Sequence, residues 1–427
     1  MPKPFRFKAG ALLSVLGIAI IVALLLGLML SLLLYNRNDT TKLLRRKQLE
    51  RDLASVTTIL LDQPYAINDS SATLDLFDDN VDSVSFSHFP WGIFELGQVC
   101  SFTNGDTLAK ALLMGMAVPK KEQYALYLAD EDRPLSLSGA TIIRGDAYLP
   151  PAGVRKAYIE DKSYEGDSTV YGKIRASTKR LPALQDEILT YLRAFNYDSL
   201  ITQKEKFLDF AKLPDSLSQS FFQKPLLISS ADSIALHHIT LKGALVLVSK
   251  KAIMVSETAE VGDILLFAPT IHIAKGFNGH LQAFAQDSLI VDDNCKLQYP
   301  SVLGLLKLAT ATGVAESQSE IKIGKKATLQ GFIFSTAENP NPDFLNKITI
   351  GQDALVEGQV YADGLLELKG NIFGTVLCKR FVLQTESSWY DNFLLDATID
   401  RTKLSTYYLG SPLMLKSGKK EILKWLE

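Results

Sequence analysis

The feature that most limits what this chain can become is the run over residues 11–35, ALLSVLGIAIIVALLLGLMLSLLLY, which holds no charged residue. Its nearest charges are Lys8 and Arg37. A helix rises about 1.5 Å per residue and roughly 20 apolar residues cross a bilayer's hydrocarbon core, so this run is long enough to span one. A secretory signal has an apolar core of about 7–15 residues followed by a small-residue cleavage site, and neither description fits. A core helix of a globular domain shows a polar face, and this stretch shows none. The sequence therefore predicts a single transmembrane helix within residues 1–36, with membrane lipid as the chain's first partner.

Residues 37–61 read as an amphipathic juxtamembrane helix. Leu49, Leu53, Val56 and Leu60 recur at helical spacing, and Arg45, Arg46, Glu50 and Arg51 take the opposite side. Arg37, Lys42, Arg45, Arg46, Lys47 and Arg51 crowd this segment, a pattern that suits lipid headgroups as well as a partner protein. Acidic residues gather at Asp75, Asp78, Asp79 and Asp82. With 45 Lys and Arg against 47 Asp and Glu, the chain has no basic footprint, and nucleic acid is not expected as a partner. Cys100, Cys295 and Cys378 lie too far apart for a zinc motif or a disulfide framework.

Residues 62–134 read as a small α+β region. Asn68, Asp69, Ser70 and Ser71 are turn chemistry, residues 83–86, 93–102 and 124–129 are strand-like, and Phe89, Trp91 and Phe94 are core anchors. Residues 110–118 are apolar without a clear period. Over 135–225 short strands recur, as at 136–143 and 168–174. Residues 182–195 form a predicted helix with Leu184, Ile188, Leu189 and Leu192 on one stripe, and 204–211 a second helical patch.

From about residue 226 the sequence repeats itself. Ile253, Ile271 and Leu289 each open a similar tetrapeptide, Ile-Met-Val-Ser, Ile-His-Ile-Ala and Leu-Ile-Val-Asp, 18 residues apart. Gly243, Gly262 and Gly279 move with them at intervals of 19 and 17. The unit at 321–334 aligns with 348–361 and, shortened, with 366–377; an extra loop at 338–344 carries Pro340 and Pro342. Units that cannot bury their own apolar side stack into a shared core. Short strands of four to six residues, with glycine at corners and few hairpin signals, favour parallel stacking over a sandwich of hairpins; at Asn278-Gly279 the period argues for a corner. The predicted fold is mainly β: a transmembrane helix, a small mixed region, then a right-handed parallel β-helix (β-solenoid) over 226–400. The pieces at 135–225 are possible first coils with inserted helices. Residues 401–427 form a C-terminal cap or tail. Within the end of the chain, 389–415 is expected to cover an open end of the stack, Ser417 to Lys420 to connect, and 421–427 to form a short helix with Ile422, Trp425 and Leu426 on one face.

A polysaccharide-degrading or -binding site would need carboxylates or aromatic residues gathered along one groove. Candidates are Asp263, Asp287, Asp292 and Asp293 with His272, Lys275 and His280. Asp292 and Asp293 are adjacent and would point to opposite faces of a strand. His272 alternates with Ile271 and Ile273 and should face outward, and His237-His238 is similar. No ligand spacing gathers a metal site, and no phosphate loop, Gly-x-Ser-x-Gly or His-Glu-x-x-His occurs. The expectation is a protein without catalytic, cofactor-binding or metal residues and without cofactors.

The opening, a short basic leader with Lys3, Arg6 and Lys8 ending in Lys8-Ala9-Gly10 and followed by Ala11-Leu12-Leu13, resembles the prepilin signal of pseudopilins and minor pilins. Most pilins carry glutamate at the fifth mature position; Val15 stands there here, as in the large Glu-lacking type. The resemblance implies processing between Gly10 and Ala11, an N-terminus in the cytoplasm, and a periplasmic C-terminal body anchored in the inner membrane. With Tyr299-Pro300-Ser301, the same start resembles uncharacterised membrane-anchored β-helix proteins of Bacteroidota, which bring no known activity. Together these imply a structural or interaction protein and, as partners, other envelope or pilus-like assembly proteins. The basic cluster after the span admits a different reading, a cytoplasmic scaffold resembling bactofilins.

Overall fold

Ala9–Asp62 form one uninterrupted 54-residue helix, α1. The computed structural model describes residues 9–65, 70–76, 82–103, 105–202, 207–308, 317–415 and 418–426. Lys3, Arg6, Lys8, Asn68, Asp69, Asp78, Asp79, residues 203–206, Ser417 and Glu427 lie outside them. The segments predicted at 11–35 and 37–61 are therefore one element. Its apolar residues from Leu12 to Tyr35 are exposed, whereas Leu49, Leu53, Val56 and Leu60 are buried, as their spacing requires. It is the one helix among the described residues long and apolar enough to be a candidate membrane span.

Two compact units are distinguished. One comprises Met1–Ile59, Ala72–Phe86 and Val99–Ala109; here Arg45 pairs with Asp106 at 3.1 Å, and Val84, Phe86 and Val99 are buried. The other comprises Leu60–Ser71, Ser87–Gln98 and Lys110–Glu427.

The second unit is mainly β, its strands joined mostly in parallel into a closed hydrogen-bonded system. Ile253, Ile271 and Leu289 are direct register partners. Their column begins at Ile234 and runs on through Ile321, Ile348 and Leu366 to Phe381, every member fully buried. A second inward column contains Leu247, Leu266, Ala283, Leu303, Ile333, Val360 and Val376. Both belong to one continuous apolar core.

The strands are longer than predicted. Glu260–Ile273, Asn278–Val291, Leu355–Leu368 and Asn371–Gln384 each run 14 residues, because pairing resumes after register shifts such as those between Ala268 and Thr270 and between Ala362 and Leu365. Asn278-Gly279 opens one of these strands; the turn lies just before it, at Gly276 with φ +82°. The glycines at 243, 262 and 279 do not stack. Gly262 pairs with Lys242 and His280, and the uneven intervals are absorbed by a bulge at Asp263. A later glycine column does stack: Gly331, Gly358 and Gly374 are successive partners. A Cβ there would lie 1.9, 1.9 and 1.7 Å from a carbonyl oxygen of the neighbouring strand, so only glycine fits.

The order of stacking also differs from the prediction. Of the pieces at 135–225, only residues 208–219 lie directly before the strands at 226–243, with which they pair in parallel; those up to residue 176 pair elsewhere. Leu126–Leu128 pairs with Val376–Cys378, and Ile142–Arg144 pairs with Thr398–Asp400. Ala147–Leu149 and Ile174–Ala176 follow beyond them. Residues 126–144 thus pair with the last strands of the system, those within 371–400. The chain then crosses back through α2 (Asp186–Ala194) and α3 (Tyr197–Thr202) and begins the opposite end at Leu208–Asp209. The end beyond residue 400 is therefore covered by residues 126–176 instead of 389–415. Of the predicted 204–211 helix, the described part is a two-residue strand, Leu208–Asp209, and a 3-10 turn, Phe210–Lys212. The predicted C-terminal helix is a strand, Lys420–Leu426, antiparallel to residues 111–116. Its sequence supports either form, and the open edge of Asp106–Ala117 selects the strand.

Leu184, Ile188, Leu189 and Leu192 of the α2 region are buried as their stripe predicted. With Trp91, Ile93, Leu113 and Leu426 they cover one outer face of the stack, forming a second apolar core. Along that face runs a ladder of register partners: Val248, Phe267, Phe284, Gly304, Phe334, Tyr361, Leu377, Tyr127 and Tyr148. Gly304 is the gap that lets the Phe284 and Phe334 rings approach; a Cβ would stand 2.6 Å from one and 2.8 Å from the other.

Candidate functional site

The bulge at Asp263 builds a polar cluster on the sheet. Its φ of +61° turns the residue out of register between Gly262 and Ile264. Asp263 then receives Lys424 Nζ at 2.7 and 2.9 Å and lies 3.1 Å from His280 Nε2. Lys424 Nζ is also 3.0 Å from His280 Nε2, and Trp91 Nε1 donates to the Asp263 carbonyl at 3.1 Å. Burial raises the Asp263 carboxyl, but the hydrogen bonds from His280 and Lys424 outweigh it and hold it below the usual carboxylate range.

A second cluster is fully buried. Glu95 is bracketed by His88 and by Lys420, whose Nζ also donates to the Pro64 carbonyl at 3.1 Å. Both clusters use a lysine of the C-terminal strand, so each ties that strand to the body. Neither lysine was singled out in the sequence, where the segment reads as a connector and a helix. His88 did carry a signal: it shares parity with Val84 and Phe86 on a strand and so faces inward.

The remaining candidates do not converge. Asp292 meets His272 at 2.9 Å, Asp287 takes Lys307 at 2.7 Å, and Asp293 accepts the Lys325 backbone N–H in a corner. His272 is part-exposed on the outward side, as its alternation with Ile271 and Ile273 predicted. His238 adopts φ +48° in a turn, and no described contact joins Lys275 to these groups. Among the described residues no three His, Cys, Asp or Glu side chains are placed to hold a metal ion. Burial raises the thiols of Cys100, Cys295 and Cys378, which disfavours the reactive thiolate. Gly10 stands exposed in the first turn of α1 with its carbonyl accepting from Ser14 Oγ at 3.0 Å; the Ala11 side chain lies outside the described residues.

No family model matches this chain, and no curated protein matches it. Among solved structures, the competence-associated pilin ComZ from Thermus thermophilus aligns over 85% of this chain and 88% of its own at 10% identity, with a TM-score of 0.18. So low a score carries no argument about this fold.

Proposed function

We propose that this chain is a non-catalytic, single-pass membrane protein that presents a right-handed β-solenoid outside the cytoplasm, as a pseudopilin-like subunit of a pilus or secretion assembly. One observation carries the reading. α1 is a single unbroken helix whose first half exposes an uncharged, mainly apolar surface over Leu12 to Tyr35, while its second half buries Leu49, Leu53, Val56 and Leu60. Such a helix carries an apolar anchor segment and a segment packed in a folded body on one element. The register columns over residues 234–381 support a coiled stack, and rigid stacks of this kind offer long lateral surfaces to partners. The candidate aspartates and histidines described above each engage a local partner, which favours a structural role over hydrolysis. Membrane lipid and envelope assembly proteins are the partners this reading requires; nucleic acid is not among them.

Sequencing the mature N-terminus tests the pilin part. A chain starting at Ala11 supports processing after Gly10, and one starting at Met1 contradicts it. Protease treatment of spheroplasts tests orientation. Digestion of the body places it outside the cytoplasm. Protection until lysis would instead favour the cytoplasmic scaffold, the reading that the basic residues from Arg37 to Arg51 support.

A further inference from the structure

An open groove of about 1000 Å³ in the second unit lies between the hairpin at 87–98, α2, α3 and the strands at 226–249. Its apolar wall includes Phe89, Phe195, Leu200, Phe222 and Leu227. The polar side chains on its half-buried wall are already engaged: Ser87 donates to Gln98, Gln98 to the Phe221 carbonyl, and Tyr191 to the Pro90 carbonyl. A sugar-binding groove needs such groups free to meet hydroxyls, and these are not. What the half-buried wall offers a ligand is hydrocarbon and aromatic surface, while Ser70, Ser71 and Gln223 add exposed polar groups to the lining. The one charged residue in its lining is Lys224, exposed at the rim and paired with no carboxylate among the described residues. An apolar trough with a single cation at its mouth matches a ligand with a long apolar tail and one anionic head.

We infer that this groove binds the acyl chain of a long-chain fatty acid, with its carboxylate at Lys224. The inference does not depend on the orientation or processing of the chain, so it stands or falls separately from the pilin reading.

The test is photolabelling of the full chain in nanodiscs with a diazirine-bearing palmitate, followed by digestion and mass spectrometry. Label is expected on peptides covering 195–200 and 222–227. Ala194→Trp, which fills the groove from an exposed position of α2, should cut this label about tenfold by displacing the tail. Lys224→Glu should cut it about two- to fivefold, the range of an exposed ion pair, and the methyl ester of the probe should label the wild type as weakly. Because Lys224 is exposed, its replacement leaves the fold intact and keeps the test decisive if Ala194→Trp misfolds. Label confined to residues 12–35, or groove label indifferent to both Lys224→Glu and esterification, would overturn the inference. Protection of the groove by an oligosaccharide but not by palmitate would overturn it in favour of a sugar.

Discussion

The strands of the stack have two unlike stretches on either side of a corner. In Leu355–Leu368, burial alternates up to Glu357 and is continuous from Gly358 to Ala362. The same change occurs at Gly331 in Thr328–Ala337 and at Gly374 in Asn371–Gln384. The alternating stretch has water on one side. The continuous stretch is packed on both sides, inward on the main core and outward on α2, the 87–98 hairpin and the C-terminal strand. A strand buried on both faces reads as an unbroken apolar run, and such a run implies a cover that the local sequence does not name.

The largest effect is expected at the corner itself. Gly358→Ala forces a methyl to within 1.9 Å of the Gly331 carbonyl oxygen, and should cost at least about 3 kcal/mol in chemical unfolding of the full chain. If the corner were open, only the backbone strain of a side chain at φ +146° would remain, about 1–3 kcal/mol.

Next comes the comparison of the two sides. Phe284 lies on the covered face, stacked on Phe267 at 4.9 Å, and Phe284→Ala should cost about 3–5 kcal/mol. Leu289→Ala, in the inward column, should cost about 2–5 kcal/mol. A negligible cost at Phe284 with the expected cost at Leu289 would mean that the covered face is in fact open to solvent.

Acid should weaken the ties of both regions. Asp263 is held low by His280 and Lys424, and Glu367, though burial raises it, is held low by hydrogen bonds from Lys347 and Lys369, each at 2.6 Å. A carboxylate with a depressed folded pKa stabilises above its unfolded value, roughly 4, and loses that contribution as pH falls through the folded one. Thermal melts should therefore be flat near neutrality and fall below about pH 4. Lys424→Met should lower stability near pH 7 and flatten the acid dependence. An unchanged profile would mean that the Asp263 cluster holds nothing in place.

The smallest effect belongs to the outward side of the alternating stretch. Met254→Thr there should move stability by less than about 0.5 kcal/mol.

This contrast also explains what could be read in advance. The column through Ile253, Ile271 and Leu289 was legible because alternation and an 18-residue period act on neighbouring residues. The α1 stripe was legible for the same reason. The cover was not: Ile264 to Ala268 betray double burial, but nothing nearby says that Trp91 or Leu426 supplies the second side. The reversed entry of residues 126–176 was equally hidden, because stacking order depends on which open end a distant segment meets. Of the polar clusters, Asp263 and His280 stood out in the sequence, but Lys424 became their partner only once the C-terminal segment paired as a strand. Gly262 misled, since a bulge beside it shifts the glycines out of line while the apolar residues stay in register.

Engineered disulfides would examine the stacking itself. Met254 and His272 are register partners, and His272 and Ile290 are the next pair. Parallel strands lie about 4.8 Å apart, within the range of a disulfide, whereas positions two strands apart are not. In a Cys100→Ser background, cysteine pairs at 254/272 and 272/290 should oxidise readily and the pair at 254/290 should not. Failure of both neighbouring pairs, or equal oxidation of 254/290, would contradict a stack in which each coil sits directly on the one before.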